Sequence, residues 1–163
     1  MSTEDYIISP SLPAAPDSMP LDERITRLVE KQDFTLVTND TAAAFASEDG
    51  DNIILLTADP RAYPETWDVA VVLPEVLKTV PNRYRAAVAD PIQSVKLAAR
   101  FGVQVFPALI FQRSGGFVGT LEGMQDWDSY LRLIPQMLER PTSRAPSIGI
   151  PVVSSTGSGS SCH

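Results

Sequence analysis

The chain reads as an α/β protein with helices on both sides of a mixed sheet, and three features of the sequence predict this. Helical and strand-like segments alternate through its middle in the order α β α β α β α β β α. The run Ile53-Ile54-Leu55-Leu56 is unbroken in its apolar character and bounded by turn residues, as in a strand buried on both faces. Near the end, two strand-like runs flank Ser114-Gly115-Gly116, a hairpin signal. Strand–helix–strand units imply parallel pairing and the hairpin adds antiparallel strands, so the predicted architecture is a three-layer α/β/α sandwich with a mixed central sheet.

The elements follow in order. Residues 1–20 carry Pro10, Pro13, Pro16 and Pro20, a spacing that forbids a helix and predicts an extended arm. Pro20 suits the first helical position, and Leu21, Ile25, Leu28 and Val29 then share one helical face, with Asp22 and Glu23 in the first turn. Phe34 to Val37 is a short strand, 40–48 a short helix broken by Glu48-Asp49-Gly50-Asp51, and Asn52 to Thr57 the buried strand. Asp59 to Asp68 is a loop containing Pro60 and Pro64. Val69 to Val80 is helical in spite of Pro74, ended by Pro81-Asn82. An internal proline removes a hydrogen bond and costs about 3 kcal/mol or more, so it is retained for a reason. Tyr84 to Ala89 is a strand leading into Asp90-Pro91, where Asp90 reads as a turn or cap residue. Ile92 to Phe101 is a helix with Val95, Leu97, Ala98 and Phe101 as its apolar positions and Gly102 as its stop. Pro107 to Gln112 and Phe117 to Leu121 form the hairpin. The last helix, 125–139, turns Trp127, Tyr130, Leu131, Ile134 and Leu138 to the core. Residues 141–163 are rich in Pro, Ser and Gly and read as a tail, in which Ile148, Ile150, Val152 and Val153 form a short apolar run. Residues 21–140 are therefore one domain between an arm and a tail.

Composition narrows the function. A chain of 163 residues buries roughly 68–70% of its unfolded surface, enough for one core. No apolar run approaches a membrane span, and Glu4 and Asp5 stand where a secretory signal carries basic residues; a cytoplasmic protein is expected. The net charge of −7 disfavours nucleic acid and anionic membrane and favours basic partners. The single cysteine, Cys162, lies in the tail, where an exposed thiol without an activating environment is expected. Cys162 beside His163 is not a metal site, and His163 is the only histidine. The domain has no nucleophilic cysteine, no histidine base and no phosphate-binding loop, so no catalytic residue, metal ligand or cofactor is assigned.

Two motifs carry a resemblance. Phe101-Gly102-Val103-Gln104-Val105-Phe106-Pro107-Ala108-Leu109-Ile110-Phe111, followed by Gly115-Gly116 and Gly123, resembles thioredoxins, in which this proline follows a cis bond and faces the active site. The resemblance implies a cis Phe106–Pro107 bond, a conformation that only roughly 5–6% of X–Pro bonds adopt. The second motif is Val71-Val72-Leu73-Pro74-Glu75-Val76-Leu77. Thioredoxins carry a proline in the helix after their CxxC, five residues beyond the second cysteine. Counted back from Pro74, the two cysteine positions fall on Thr66 and Val69, and neither supplies a thiolate. Thioredoxin chemistry needs an attacking and a resolving cysteine, so that cycle is absent.

From about Leu21 to Arg140 the chain also resembles a narrower family, the HyaE/HupG-type accessory proteins of nickel–iron hydrogenase operons. The residues that carry it are Asp59-Pro60-Arg61, Pro64-Glu65 with Asp68, Ala87-Val88-Ala89-Asp90, Arg100-Phe101-Gly102-Val103, Phe106-Pro107-Ala108, Gly115-Gly116 and Trp127. The resemblance implies a chaperone that binds the hydrogenase small-subunit precursor and its twin-arginine signal peptide before export. An adaptor for another oxidoreductase client is the alternative, and the oligomeric state stays open. A twin-arginine segment is basic, then apolar, so its receptor needs carboxylates beside an apolar groove. The expected partner-binding residues are Asp59, Glu65 and Asp68 as carboxylates and Tyr63 and Trp67 as anchors. Thr66 lies between them, and Phe106 and Pro107 form the opposite wall, where an extended peptide adds as a strand. Each has a plainer reading: Asp59 as a turn residue, Glu65 or Asp68 as a helix cap, and Trp67 as core.

Overall fold

The computed structural model describes residues 19–81 and 84–145. Residues 1–18 of the arm, Asn82, the apolar run of the tail, Cys162 and His163 lie outside the described residues. The elements are α1 (Leu21–Lys31), β1 (Thr35–Leu36), α2 (Ala42–Ser47), β2 (Asp51–Leu56) and α3 (Glu65–Lys78), then β3 (Tyr84–Ala89), α4 (Pro91–Phe101), β4 (Ala108–Arg113), β5 (Gly116–Glu122) and α5 (Trp127–Glu139). Their order is the predicted one. The sheet runs β1-β3-β2-β4-β5. The pairs β1–β3 and β2–β3 are parallel, β2–β4 and β4–β5 antiparallel.

Strand β2 shows why its sequence is a continuous apolar run. It lies between β3 and β4, with Ile53 opposite Ala86 on one side and Phe111 on the other. Successive side chains point to opposite faces. Ile53 and Leu55 enter a core shared with α1, α3 and α5, and Ile54 and Leu56 one shared with α2 and α4. All four are fully buried. Helices α1, α3 and α5 thus cover one face and α2 and α4 the other.

Polar side chains close the far end of the sheet. Asn52 is buried and its Nδ2 donates to the carbonyls of Ala46, Glu48 and Gly50, fixing the α2–β2 turn. Arg113 pairs with Asp51 at 2.7 Å and donates to the carbonyls of Leu138 and Arg140, tying the sheet to the end of α5. Residues 141–145, assigned to the tail by sequence, continue from there: Ser143 N–H donates to Phe117 O of β5, and Ala145 packs on the α2/α4 core.

Several expectations need correction. Helix α3 begins at Glu65, so Glu65 to Asp68 are helical rather than loop; Pro64, with φ −60° and ψ −25°, already has helical geometry and starts the first turn. Pro20 precedes α1 as an extended residue. In α4 the buried set is Ser94, Leu97, Ala98 and Phe101, and Val95 faces solvent. Trp127, expected in the core, opens α5 and is exposed. Pro74 lies buried within a continuous α3, and α5 holds a second internal proline, Pro135, that the sequence reading passed over. Asp90 caps α4 by accepting from Gln93 N–H, and Gly102 ends it with φ 69°.

Candidate functional site

The sheet topology marks a place for a ligand before any side chain is considered. Strand β2 leads to α3 on one face and its neighbour β3 leads to α4 on the other. Two adjacent parallel strands that exit to opposite faces leave a crevice beyond their carboxyl ends, where open α/β sheets bind ligands. Three buried hydroxyl contacts hold the crevice. Thr57 N–H donates to Ser94 Oγ at 2.9 Å, and both hydroxyls, Thr57 Oγ1 and Ser94 Oγ, donate to Ala89 O. Both side chains are fully buried, and together they fasten the ends of β2 and β3 to α4.

Over this clasp lies a cleft of about 610 Å³, lined by the start of α1 (Leu21, Asp22), the loop after β2 (Ala58, Asp59, Pro60, Tyr63), the start of α4 (Pro91, Ile92, Val95) and Phe106. Tyr63 and Phe106 meet edge to face with ring centroids 5.7 Å apart, an arrangement that favours the rings' opposite partial charges. Ile92 is 70% exposed and Val95 63%. Asp22 and Asp59 supply negative charge. Asp59 closes the loop: its carboxylate accepts from Arg61 N–H and its carbonyl from Ala62 and Tyr63 N–H. Asp59 therefore does serve the turn, while still lining the cleft.

The Phe106–Pro107 bond is cis, as the resemblance implied. Pro107 itself is buried, and its carbonyl accepts from Gly123 N–H at 2.8 Å, with Gly123 at φ 79°. The preceding loop is fixed by Glu122, whose carboxylate accepts from the N–H groups of Gln104 and Val105. A second, smaller groove of about 460 Å³ lies on the other side of the loop, between Pro60, Arg61, Pro64, Trp67 and Asp68.

The sequence-selected residues therefore separate. Asp59, Tyr63 and Phe106 line the main cleft and Trp67 and Asp68 the second groove, whose charge is mixed because Arg61 is there too. Glu65, Thr66 and Pro107 line neither. Glu65 and Asp68 are exposed in the first turn of α3, and the helix has no side-chain cap. Thr66 is fully buried, so it offers a partner no surface; its Oγ1 has no hydrogen-bond partner among the described residues. Trp67 is half-buried against the α1/α3 core with the Arg24 guanidinium 5.7 Å from its ring centroid, so the core reading holds in part. Of the cleft's lining, the sequence reading missed Leu21, Asp22, Ala58, Pro60, Pro91, Ile92 and Val95. A signal was available for α4: Ser94, Leu97, Ala98 and Phe101 fit the i, i+3, i+4, i+7 pattern of a buried face, which leaves Ile92 and Val95 on another.

Among the described residues no group of three or more His, Cys, Asp or Glu side chains is placed to hold a metal ion, and no helix is long and apolar enough to cross a membrane. The cleft can take an extended or helical segment that is apolar with a basic end. Its aromatic and aliphatic wall buries the one part and its two carboxylates meet the other.

Comparisons with known proteins agree with this architecture. The family model described as "Hydrogenase-1 expression protein HyaE" matches residues 24–130. The hydrogenase expression/formation protein HoxO of Cupriavidus necator is 41% identical over 165 aligned positions that span all of both chains. The hydrogenase expression/formation protein HupG of Bradyrhizobium diazoefficiens is 38% identical over 66% of this chain and 74% of its own. Among solved structures, a mutant thioredoxin from Halobacterium salinarum superposes with a TM-score of 0.55, covering 68% of this chain and 95% of that one at 21% identity. That likeness shows a thioredoxin-like fold.

Proposed function

The chain belongs to the HyaE family of hydrogenase expression proteins, and we propose that it acts there without catalysis, as a cytoplasmic chaperone that binds the hydrogenase small-subunit precursor, including its twin-arginine signal peptide, before export. The observation that carries this reading is the cleft beyond β2 and β3, where exposed Ile92, Val95 and Tyr63 stand beside Asp22 and Asp59. A signal peptide of this class places basic residues directly before an apolar stretch and so presents both partners the cleft lacks. Carboxylates bind guanidinium groups in a fixed geometry, and apolar burial supplies most of the affinity. A thiol-exchange role has little support. With Thr66 and Val69 at the cysteine positions and Cys162 the only thiol, no pair exists to cycle.

The test is capture of the small-subunit precursor by this protein, with and without the precursor's signal peptide, at low and high salt. Retention that requires the signal peptide and weakens with salt is expected. Retention without the signal peptide moves the site to the mature subunit. No retention in either form removes the reading and favours a different oxidoreductase client. Insulin-disulfide reduction, run alongside, is expected to show no turnover; turnover abolished by Cys162→Ser would overturn the non-catalytic assignment.

A further inference from the structure

Helix α4 is apolar on two opposite faces. Ser94, Leu97, Ala98 and Phe101 are buried against the sheet side. At 3.6 residues per turn, Ile92, Val95 and Ala99 fall together on the opposite side, and all three are exposed. A helix that is apolar all round belongs in an interior, so the outer stripe lacks a cover. Lys96 is exposed and borders the stripe on the flank away from the cleft, since Val95 lines the cleft and Lys96 does not. Lys96 has no ion-pair partner among the described residues. Arg100, the other cation of α4, is held by Asn39, to whose backbone and side-chain oxygens it donates. On the cleft flank, Asp22 and Asp59 likewise have no ion-pair partner among the described residues.

This face is complementary to itself. A two-fold axis running along the stripe lays α4 of one copy beside α4 of another in the same direction and exchanges the flanks. Ile92, Val95 and Ala99 then meet their own counterparts, with the small Ala99 allowing close approach. Lys96 of each copy comes to the side on which the other carries Asp22 and Asp59, so opposite charges face each other twice. A two-fold axis across the stripe sets Lys96 against Lys96 and carboxylate against carboxylate. Charge therefore selects the first arrangement.

We propose that the free protein self-associates through the outer face of α4 as a two-fold dimer, and that a client binds by displacing the second copy. This rests on the reading of the cleft as the client site and adds its regulation. The second copy covers Ile92 and Val95, the client's apolar wall, so one chain does not hold both. A contact built on one helical stripe belongs with small, transient interfaces, below about 1,200 Å². Association at roughly 10 μM to 1 mM is expected, weak enough for a client to win.

The experiment uses the full chain with Cys162→Ser. In sedimentation equilibrium the average mass is expected to rise from one chain toward two as concentration increases through that range. Lys96→Glu makes both charged contacts repulsive and is expected to weaken association roughly tenfold; adding Asp22→Lys to it is expected to restore association. Under oxidation, Ala99→Cys is expected to form covalent dimers several times faster than Val71→Cys, exposed on the outer face of α3. A protein that stays monomeric, equal oxidation rates, or association indifferent to Lys96→Glu overturns the proposal. A synthetic peptide with two arginines followed by an apolar stretch is then added. It is expected to slow the Ala99→Cys link, and to bind roughly tenfold more weakly where nine-tenths of the protein is dimeric. Peptide binding by a protein that stays monomeric keeps the client reading and overturns the dimer. A dimer that passes these tests while the peptide binds neither form upholds the self-association and removes the client reading instead.

Discussion

Replacing Ile92 and Val95 by Ser tests the cleft with little risk to the fold. Full burial of an Ile or Val side chain is worth about 1.5–3 kcal/mol. Ile92 is 70% exposed and Val95 63% in the free protein. A client that covers them therefore recovers about 1–2 kcal/mol from each, by the same scale. At 1.4 kcal/mol per decade, Ile92→Ser and Val95→Ser each weaken binding roughly 5- to 30-fold, and the pair together roughly 30- to 1000-fold. Neither side chain lies in a core cluster, so stability stays within about 0.5 kcal/mol of the parent. The assay is fluorescence anisotropy of a labelled signal peptide titrated with each protein, with urea unfolding in parallel. Val71→Ser, on the outer face of α3, serves as the control and leaves binding unchanged. Variants that stay folded and bind as tightly as the parent would refute the assignment of α4 as a client wall.

Ser94→Ala leaves the buried N–H of Thr57 without its acceptor and is expected to cost about 1–3 kcal/mol in urea unfolding. Arg113→Ala breaks the ion pair with Asp51 and the bonds to the Leu138 and Arg140 carbonyls. It is expected to destabilise by about 1–3 kcal/mol and to speed amide exchange at Ser143, whose N–H depends on the placement of the segment after α5. Burial raises the phenol of Tyr84 above its usual value, with nearby Lys78 opposing, and burial raises that of Tyr130, with a backbone hydrogen bond from Gln125 opposing. The folded state therefore holds these protons more tightly than the unfolded chain. Their contribution is complete below the unfolded value, near 10, and is lost as pH rises through the folded one. Tyr84→Phe is expected to flatten the alkaline arm of the stability curve, at the cost of the 2.7 Å bond its hydroxyl donates to Leu77 O.

The fold was legible because its signals are local and repeated. The apolar run 53–56, the glycine stop at 102 and the turn at 114–116 each specify one element, and their order specifies the sheet. The site was less legible for a reason visible in α3 and α4. Composition marks Val95 as core and Thr66 as available, whereas the helical phase exposes the first and buries the second. Pro64 likewise reads as a loop residue, although its geometry begins a helix, and that error placed Glu65 to Asp68 in the wrong element. Asp22 was seen only as a residue favourable to the start of α1. Its place on the cleft rim depends on α1 and α4 presenting their N-termini at the same end of the sheet, which follows from topology and not from any local pattern.

The buried Thr66 says how this site departs from a thiol-exchange centre. In thioredoxins the first cysteine position must be reachable, because the attacking sulfur forms a mixed disulfide with its substrate. Here that position is closed to solvent as well as lacking sulfur, and Val69 is buried among Leu73, Val76 and Leu77. Restoring both cysteines would place them beneath the surface, where burial disfavours the thiolate. Meanwhile the neighbouring crevice remains open, braced by Thr57 and Ser94 and walled by the start of α4. What stays accessible is the cleft at the junction of β2 and β3, the site to which the proposed function assigns the client.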